Sequence, residues 1–107
     1  MSNQELEYKV LKWLEKNPNM TQRQLAKQLG VSLGKTHYLI NSLIQVGWVK
    51  LANFKRSDKK MGYMYLLTPA GINEKAQITK LFLARKENEY QQLKREIQQL
   101  KSEVQSL

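Results

Sequence analysis

From position 72 to position 107 the chain contains neither proline nor glycine. Across that stretch Ile72, Ala76, Thr79, Leu83, Lys86, Tyr90, Leu93, Ile97, Leu100, Val104 and Leu107 follow one another in steps of four and three. Residues spaced this way line up along one side of a helix, and a row repeating every seven residues is the seam of a coiled coil. "TPAGI" at 68–72 gives the helix its start, with Thr68 as N-cap and Pro69 at the first helical position. One helix is therefore expected from 69 to near the end. Its seam is regular from Tyr90 onward and interrupted by Thr79 and Lys86. The expected organisation is a folded domain over 1–68 and a C-terminal dimerisation helix over 69–107, with Leu83, Tyr90, Leu93, Ile97, Leu100, Val104 and Leu107 as the dimer seam.

The charges beside the seam point to a direction of pairing. With Tyr90, Ile97 and Val104 at a and Leu93, Leu100 and Leu107 at d, the residues Glu89, Glu96 and Glu103 fall at g and Lys94 and Lys101 at e. In a parallel pair g meets the next e of the partner, so Glu89 faces Lys94 and Glu96 faces Lys101. An antiparallel pair sets like charges together. Aliphatic β-branched residues at a with leucine at d also favour two parallel strands. A parallel homodimer is the expectation, the alternative being a helix packed back on its own domain.

Ahead of this helix the pattern is short and well punctuated. Leu6, Val10, Leu11 and Leu14 make an apolar stripe within an expected helix over 3–16, bordered by Trp13 and stopped by "NPN" at 17–19. Thr21 with Gln24 forms a capping box for a second helix, whose inward residues are Leu25, Ala26 and Leu29 and whose end is Gly30. Ser32 caps a third helix, over about 32–46, with Thr36, Leu39, Ile40 and Leu43 facing inward. Then the period changes. "WVKLANFK" at 48–55 and "GYMYLLT" at 62–68 read as two strands around the turn "RSDKKM". The fold class expected is mainly α with a small β-hairpin: a winged helix-turn-helix followed by a long coiled-coil helix.

The net charge of +9 is unevenly placed. Residues 1–15 and 87–107 each carry a net charge of −1, whereas 16–86 carry thirteen Lys or Arg against only Asp58 and Glu74. A basic middle between balanced ends suits a polyanionic partner. The chain has no cysteine, which removes disulfides and thiolate metal sites. His37 is the single histidine, so no metal site is expected. The basic middle holds no carboxylate pair, and no phosphate-binding or dinucleotide-binding glycine pattern occurs, so neither catalysis nor a cofactor is expected. The polar start and the absence of a membrane-spanning apolar run give the expectation of a cytoplasmic protein without membrane contact.

The second and third helices, joined by "LGVS", carry the functional signal. The tight turn uses Gly30, close helix contact uses Ala26, and the third helix presents a face of Gly34, Tyr38, Asn41 and Gln45. A glycine in a first turn weakens a helix that alanine would strengthen. At position 34 that cost has a use, since a recognition helix enters the major groove N-terminus first and a missing side chain lets its leading amides approach DNA. The expected DNA-binding residues are Arg23, Ser32, Gly34, Lys35, His37, Tyr38 and Asn41, with Lys55, Arg56, Lys59 and Lys60 on the wing at 55–60. Asn41 has the groups to pair with adenine, and Lys35 can meet guanine or phosphate. The wing cations suit the backbone or the minor groove.

"TQRQLAKQLGVSLGKTHYLINSLIQVGWVK" together with "GYMYLLTPAGI" and the helix that follows resembles the MarR-type winged-helix regulators, in particular their small exopolysaccharide-associated members. The resemblance spans roughly residues 8–104. It implies a transcriptional regulator linked to polysaccharide genes. In it Ser32, Gly34, Lys35, His37, Tyr38 and Asn41 match the recognition stretch and 55–60 the wing. Larger relatives bind phenolic effectors between the dimerisation and DNA-binding parts, and this chain has little material for such a pocket. The alternatives are a winged helix that binds protein or one that binds RNA. A polar, small outer face on the third helix favours nucleic acid over protein, and a helix that reads a major groove favours DNA over RNA.

Overall fold

The structure, a computed structural model, describes residues 2–55 and 61–107. Helix α1 spans Asn3–Lys16, α2 Gln22–Leu29 and α3 Leu33–Gln45. Strand β1 (Val49–Lys55) pairs antiparallel with β2 (Met61–Leu67), Val49 opposite Leu67 and Lys55 opposite Met61. Helix α4 runs from Pro69 to Gln105.

Each helix begins at a side chain that satisfies its open amides. The Ser2 hydroxyl accepts from the Glu5 amide, Ser32 from Lys35 and Thr68 from Gly71, at 3.0–3.1 Å. Thr21 and Gln24 complete a reciprocal capping box. Gly30 ends α2 in the left-handed region, φ +70°, and its amide bonds back to Ala26. These two features turn the chain within three residues and set α3 across α2.

The core lies where the three short helices meet the first strand. Val10, Leu11 and Leu14 of α1, Leu25 of α2, Leu39, Ile40 and Leu43 of α3 and Val49 of β1 are all buried. Thr36 is buried among them, and its hydroxyl donates to the Ser32 carbonyl at 3.0 Å, which removes the cost of an unpaired polar group. Removing a buried leucine such as Leu25 costs about 2–5 kcal/mol in cores of this kind.

Helix α4 leaves this core edge-on. Gly71 meets the backbone of Trp48 so closely that a Cβ there would overlap the Trp48 carbonyl oxygen. Ile78 is buried, and Phe82 stands edge-on to Tyr8 of α1, with ring centroids 5.1 Å apart. Lys75 pairs with Glu15 at 2.8 Å and Arg85 with Glu5 at 3.3 Å, so ion pairs flank the apolar contact. Gly71, Lys75, Ile78, Phe82 and Arg85 thus form a row of their own, one residue out of step with Ile72, Ala76, Thr79, Leu83 and Lys86. The latter row is exposed, Ile72 and Leu83 included. From residue 83 onward every residue is exposed, so the helix does not fold back on its own domain. It projects, and the molecule measures 71 × 25 × 24 Å.

Candidate nucleic-acid interface

The outward side of α3 follows from the burial of its inner side. With Thr36, Leu39, Ile40 and Leu43 in the core, the 100° step per residue leaves Gly34, His37, Tyr38, Asn41 and Gln45 exposed. Ser32 sits at the tip of the helix with its oxygen occupied by the Lys35 amide. Gly34 has an open environment: a Cβ built there would find only the Ser32 Oγ, at 4.0 Å. Its backbone is ordinary helix. Packing in the fold therefore does not require glycine at 34.

The side chains around it are partly committed to one another. Lys35 is half-buried, its Nζ 3.3 Å from the Asn3 Oδ1 and 5.3 Å from the centre of the Tyr38 ring. It lies between α1 and α3 rather than free in front of the helix. Tyr38 is 60% exposed, and its carbonyl accepts from the Ser42 hydroxyl at 2.9 Å. His37 and Asn41, one turn apart, are joined by a hydrogen bond of 2.9 Å from the Asn41 Nδ2 to the ring Nε2. The other ring nitrogen, Nδ1, is 3.1 Å from the Gln22 Oε1. Gln22 in turn donates to the Tyr65 hydroxyl at 3.0 Å. Sequence reading missed Gln22 and Tyr65, because their relation to α3 exists only once α2 and β2 are packed against it.

The remaining expected residues fall beside this face or beyond the described part. Arg23 is exposed in the first turn of α2, next to Gln22. Lys55 is the last residue of β1. Arg56, Lys59 and Lys60 lie outside the described residues. Of the seam residues, Leu83, Tyr90, Leu93, Ile97, Leu100 and Val104 are exposed along α4, and Leu107 is exposed just past its end. The effector question has a concrete counterpart at the junction of α1 and α4. An open groove of about 410 Å³ lies there, lined by Tyr8, Lys9, Phe82, Leu83, Arg85 and Lys86 among others. Among the described residues, no group of three His, Cys, Asp or Glu could hold a metal ion. Also among them, no helix is long and apolar enough to cross a membrane.

Three helices, a Gly-turned pair whose second member is exposed at its leading end, and a hairpin behind it make the architecture definite. The fold is a winged helix-turn-helix. Residues 3–50 match the family model for winged helix-turn-helix DNA-binding segments. A comparison with curated protein sequences finds no match. Among solved structures, the chain is similar to MepR of Staphylococcus aureus, a transcription regulator of the multidrug efflux pump MepA. The TM-score is 0.62 at 19% identity, over 94% of this chain and 74% of that one. It is similar to FabT of Streptococcus pneumoniae in complex with DNA, with TM-score 0.59 and 23% identity over 77% of this chain and 56% of that one. A mutant MarR from E. coli gives TM-score 0.57 and 28% identity over 70% of this chain and 54% of that one. The winged helix-turn-helix protein thus spans just over half the length of FabT and MarR.

Proposed function

We propose that this chain is a MarR-type transcriptional regulator of the cytoplasm that binds duplex DNA as a homodimer. The recognition helix, α3, enters the major groove, and the basic wing at 55–60 rests on the backbone or minor groove. The observation that carries this reading is the leading end of α3. Gly34 is bare, exposed and not required by packing, and it is followed by the exposed polar groups of His37, Tyr38 and Asn41. A major groove admits a helix presented in this way. The likeness to FabT, whose structure holds DNA, and to the regulator MepR supports the reading.

The assembly part rests on α4. Its apolar seam from Tyr90 to Val104 is exposed on a projecting helix, and burying such a row takes a second copy. The charge pattern of Glu89, Glu96, Lys94 and Lys101 favours the parallel arrangement. The link to polysaccharide genes is the finer part of the proposal and comes from the sequence resemblance.

Selection from a random duplex library tests the reading directly. The expected product is an inverted repeat whose half-sites are one helical turn, about 34–36 Å, or a multiple of it apart. Enrichment of RNA hairpins in place of duplex, or enrichment of neither, would contradict it.

A further inference from the structure

Four side chains from three elements form one directional chain of hydrogen bonds beneath the recognition face. The Gln22 Nε2 donates to the Tyr65 hydroxyl at 3.0 Å. A hydroxyl can accept or donate, so this contact anchors the Gln22 side chain without setting its polarity; in the orientation the structure records, the Gln22 Oε1 faces the His37 Nδ1, 3.1 Å away. An amide oxygen carries no hydrogen, so with Gln22 in this orientation the contact is a hydrogen bond when Nδ1 carries the proton. In the neutral ring Nε2 is then a bare acceptor, and the Asn41 Nδ2 donates to it at 2.9 Å.

The consequence lies at the far end. With one N–H of Asn41 held by His37, its Oδ1 and its second N–H have no hydrogen-bond partner among the described residues. Adenine shows the major groove one donor, N6–H, and one acceptor, N7, which match that pair. Guanine shows two acceptors, N7 and O6, and fails to match an outward oxygen. In the other His37 tautomer Nε2 would donate, Asn41 would turn its oxygen inward, and its NH₂ would face the groove. That arrangement suits guanine.

We propose that Gln22 and Tyr65 are positioning residues for base reading: Tyr65 anchors the Gln22 side chain, the Gln22 amide oxygen fixes the tautomer of His37, and His37 fixes the Asn41 amide in the polarity that selects adenine. This rests on the DNA-binding reading given above. Neither Gln22 nor Tyr65 needs to touch a base. Tyr65 belongs to the hairpin and Gln22 to α2, so the wing strand and the first helix of the pair both govern what the second helix reads.

The experiment has two arms on the full chain. His37 is the only histidine, so a long-range ¹H–¹⁵N spectrum of the labelled protein reports its tautomer without ambiguity. At pH 8 the free protein should show Nδ1 protonated and Nε2 bare. Tyr65→Phe, which keeps the ring, and Gln22→Ala should each move the population toward protonated Nε2. A wild-type ring protonated at Nε2, or a ring unmoved by both substitutions, overturns the proposal without reference to DNA. The second arm measures A-over-G preference on the selected duplex. Wild type should discriminate by about 5- to 150-fold at one position of each half-site. Tyr65→Phe and Gln22→Ala should lower that ratio about fivefold, the worth of one hydrogen bond, with the salt dependence unchanged. Asn41→Ala should abolish the preference. A preference that survives a shifted tautomer overturns the proposal. Failure of wild type to bind any duplex, with the expected tautomer, refutes the DNA-binding reading and the base-reading half with it.

Discussion

Two faces of this molecule are left uncovered, and they differ in chemistry. The outward side of α3 presents a bare glycine, a hydroxyl, an imidazole, a phenol and two amides, at Gly34, Ser32, His37, Tyr38, Asn41 and Gln45. The outward side of α4 presents an aliphatic row, Leu93, Ile97, Leu100 and Val104, between 44% and 67% exposed. The first face has many directional groups and little apolar area. It suits a hydrated, charged surface with a fixed pattern of donors and acceptors. The second has apolar area and few directional groups, and it suits a copy of itself. On the proposed function one chain separates reading from assembly, and each can then be damaged without the other.

The largest effect is expected on the assembly face. Leu93→Glu with Leu100→Glu should yield monomers by sedimentation, because each chain then buries charge where leucine contributed about 1.5–3 kcal/mol. The body should keep its melting transition. Affinity for the inverted repeat should fall about 10²–10⁴-fold, the advantage of a linked second half-site. A dimer that persists would move the interface off the seam. On the reading face, Asn41→Ala should cost about 1–3 kcal/mol on the selected site and almost nothing on random duplex, measured by competition. Equal losses on both would make Asn41 a backbone contact.

The wing should act on affinity without sequence. Replacing Arg56, Lys59 and Lys60 by Ala should flatten the dependence of log affinity on log salt by about 0.9 for each phosphate that is no longer neutralised. An unchanged slope would take the wing out of the interface. The smallest effect concerns direction of pairing, where each exposed Glu–Lys pair contributes only about 0.2–1 kcal/mol. A cysteine appended after Leu107 should nonetheless cross-link two chains quickly on oxidation. Cross-linking instead between cysteines near positions 86 and 107 would show antiparallel helices.

Much of the fold was legible because the punctuation is local. Thr21, Ser32 and Thr68 cap helices, Gly30 turns the chain, and the inward residues of α1, α2 and α3 follow the helical period into the core. What escaped depends on contacts between elements. The row Gly71, Ile78 and Phe82 runs one residue ahead of the exposed row, and a shift of one residue leaves the spacing unchanged. Its trace in the sequence is the pair of interruptions, Thr79 and Lys86, where the exposed row loses apolar character while the inner row holds Ile78 and Phe82. Two glycines in first turns show the same limit. Gly34 and Gly71 look alike in sequence, yet Gly34 faces open space and Gly71 touches the Trp48 backbone. On the reading face, the exposure of Gly34 and Asn41 follows from periodicity. The constraint on Asn41 does not, since it passes through His37 to Gln22 on a different helix.

The difference between those glycines also provides the most direct test that α3 is the reading element. Gly34→Leu adds a side chain where the fold has room, so circular dichroism and the dimer should be unaltered. Its binding to the selected duplex, measured by anisotropy beside wild type, should fall to the level of random duplex, because the leucine holds the leading amides of α3 away from the groove. A folded, dimeric Gly34→Leu that binds the selected site as wild type does would contradict the account.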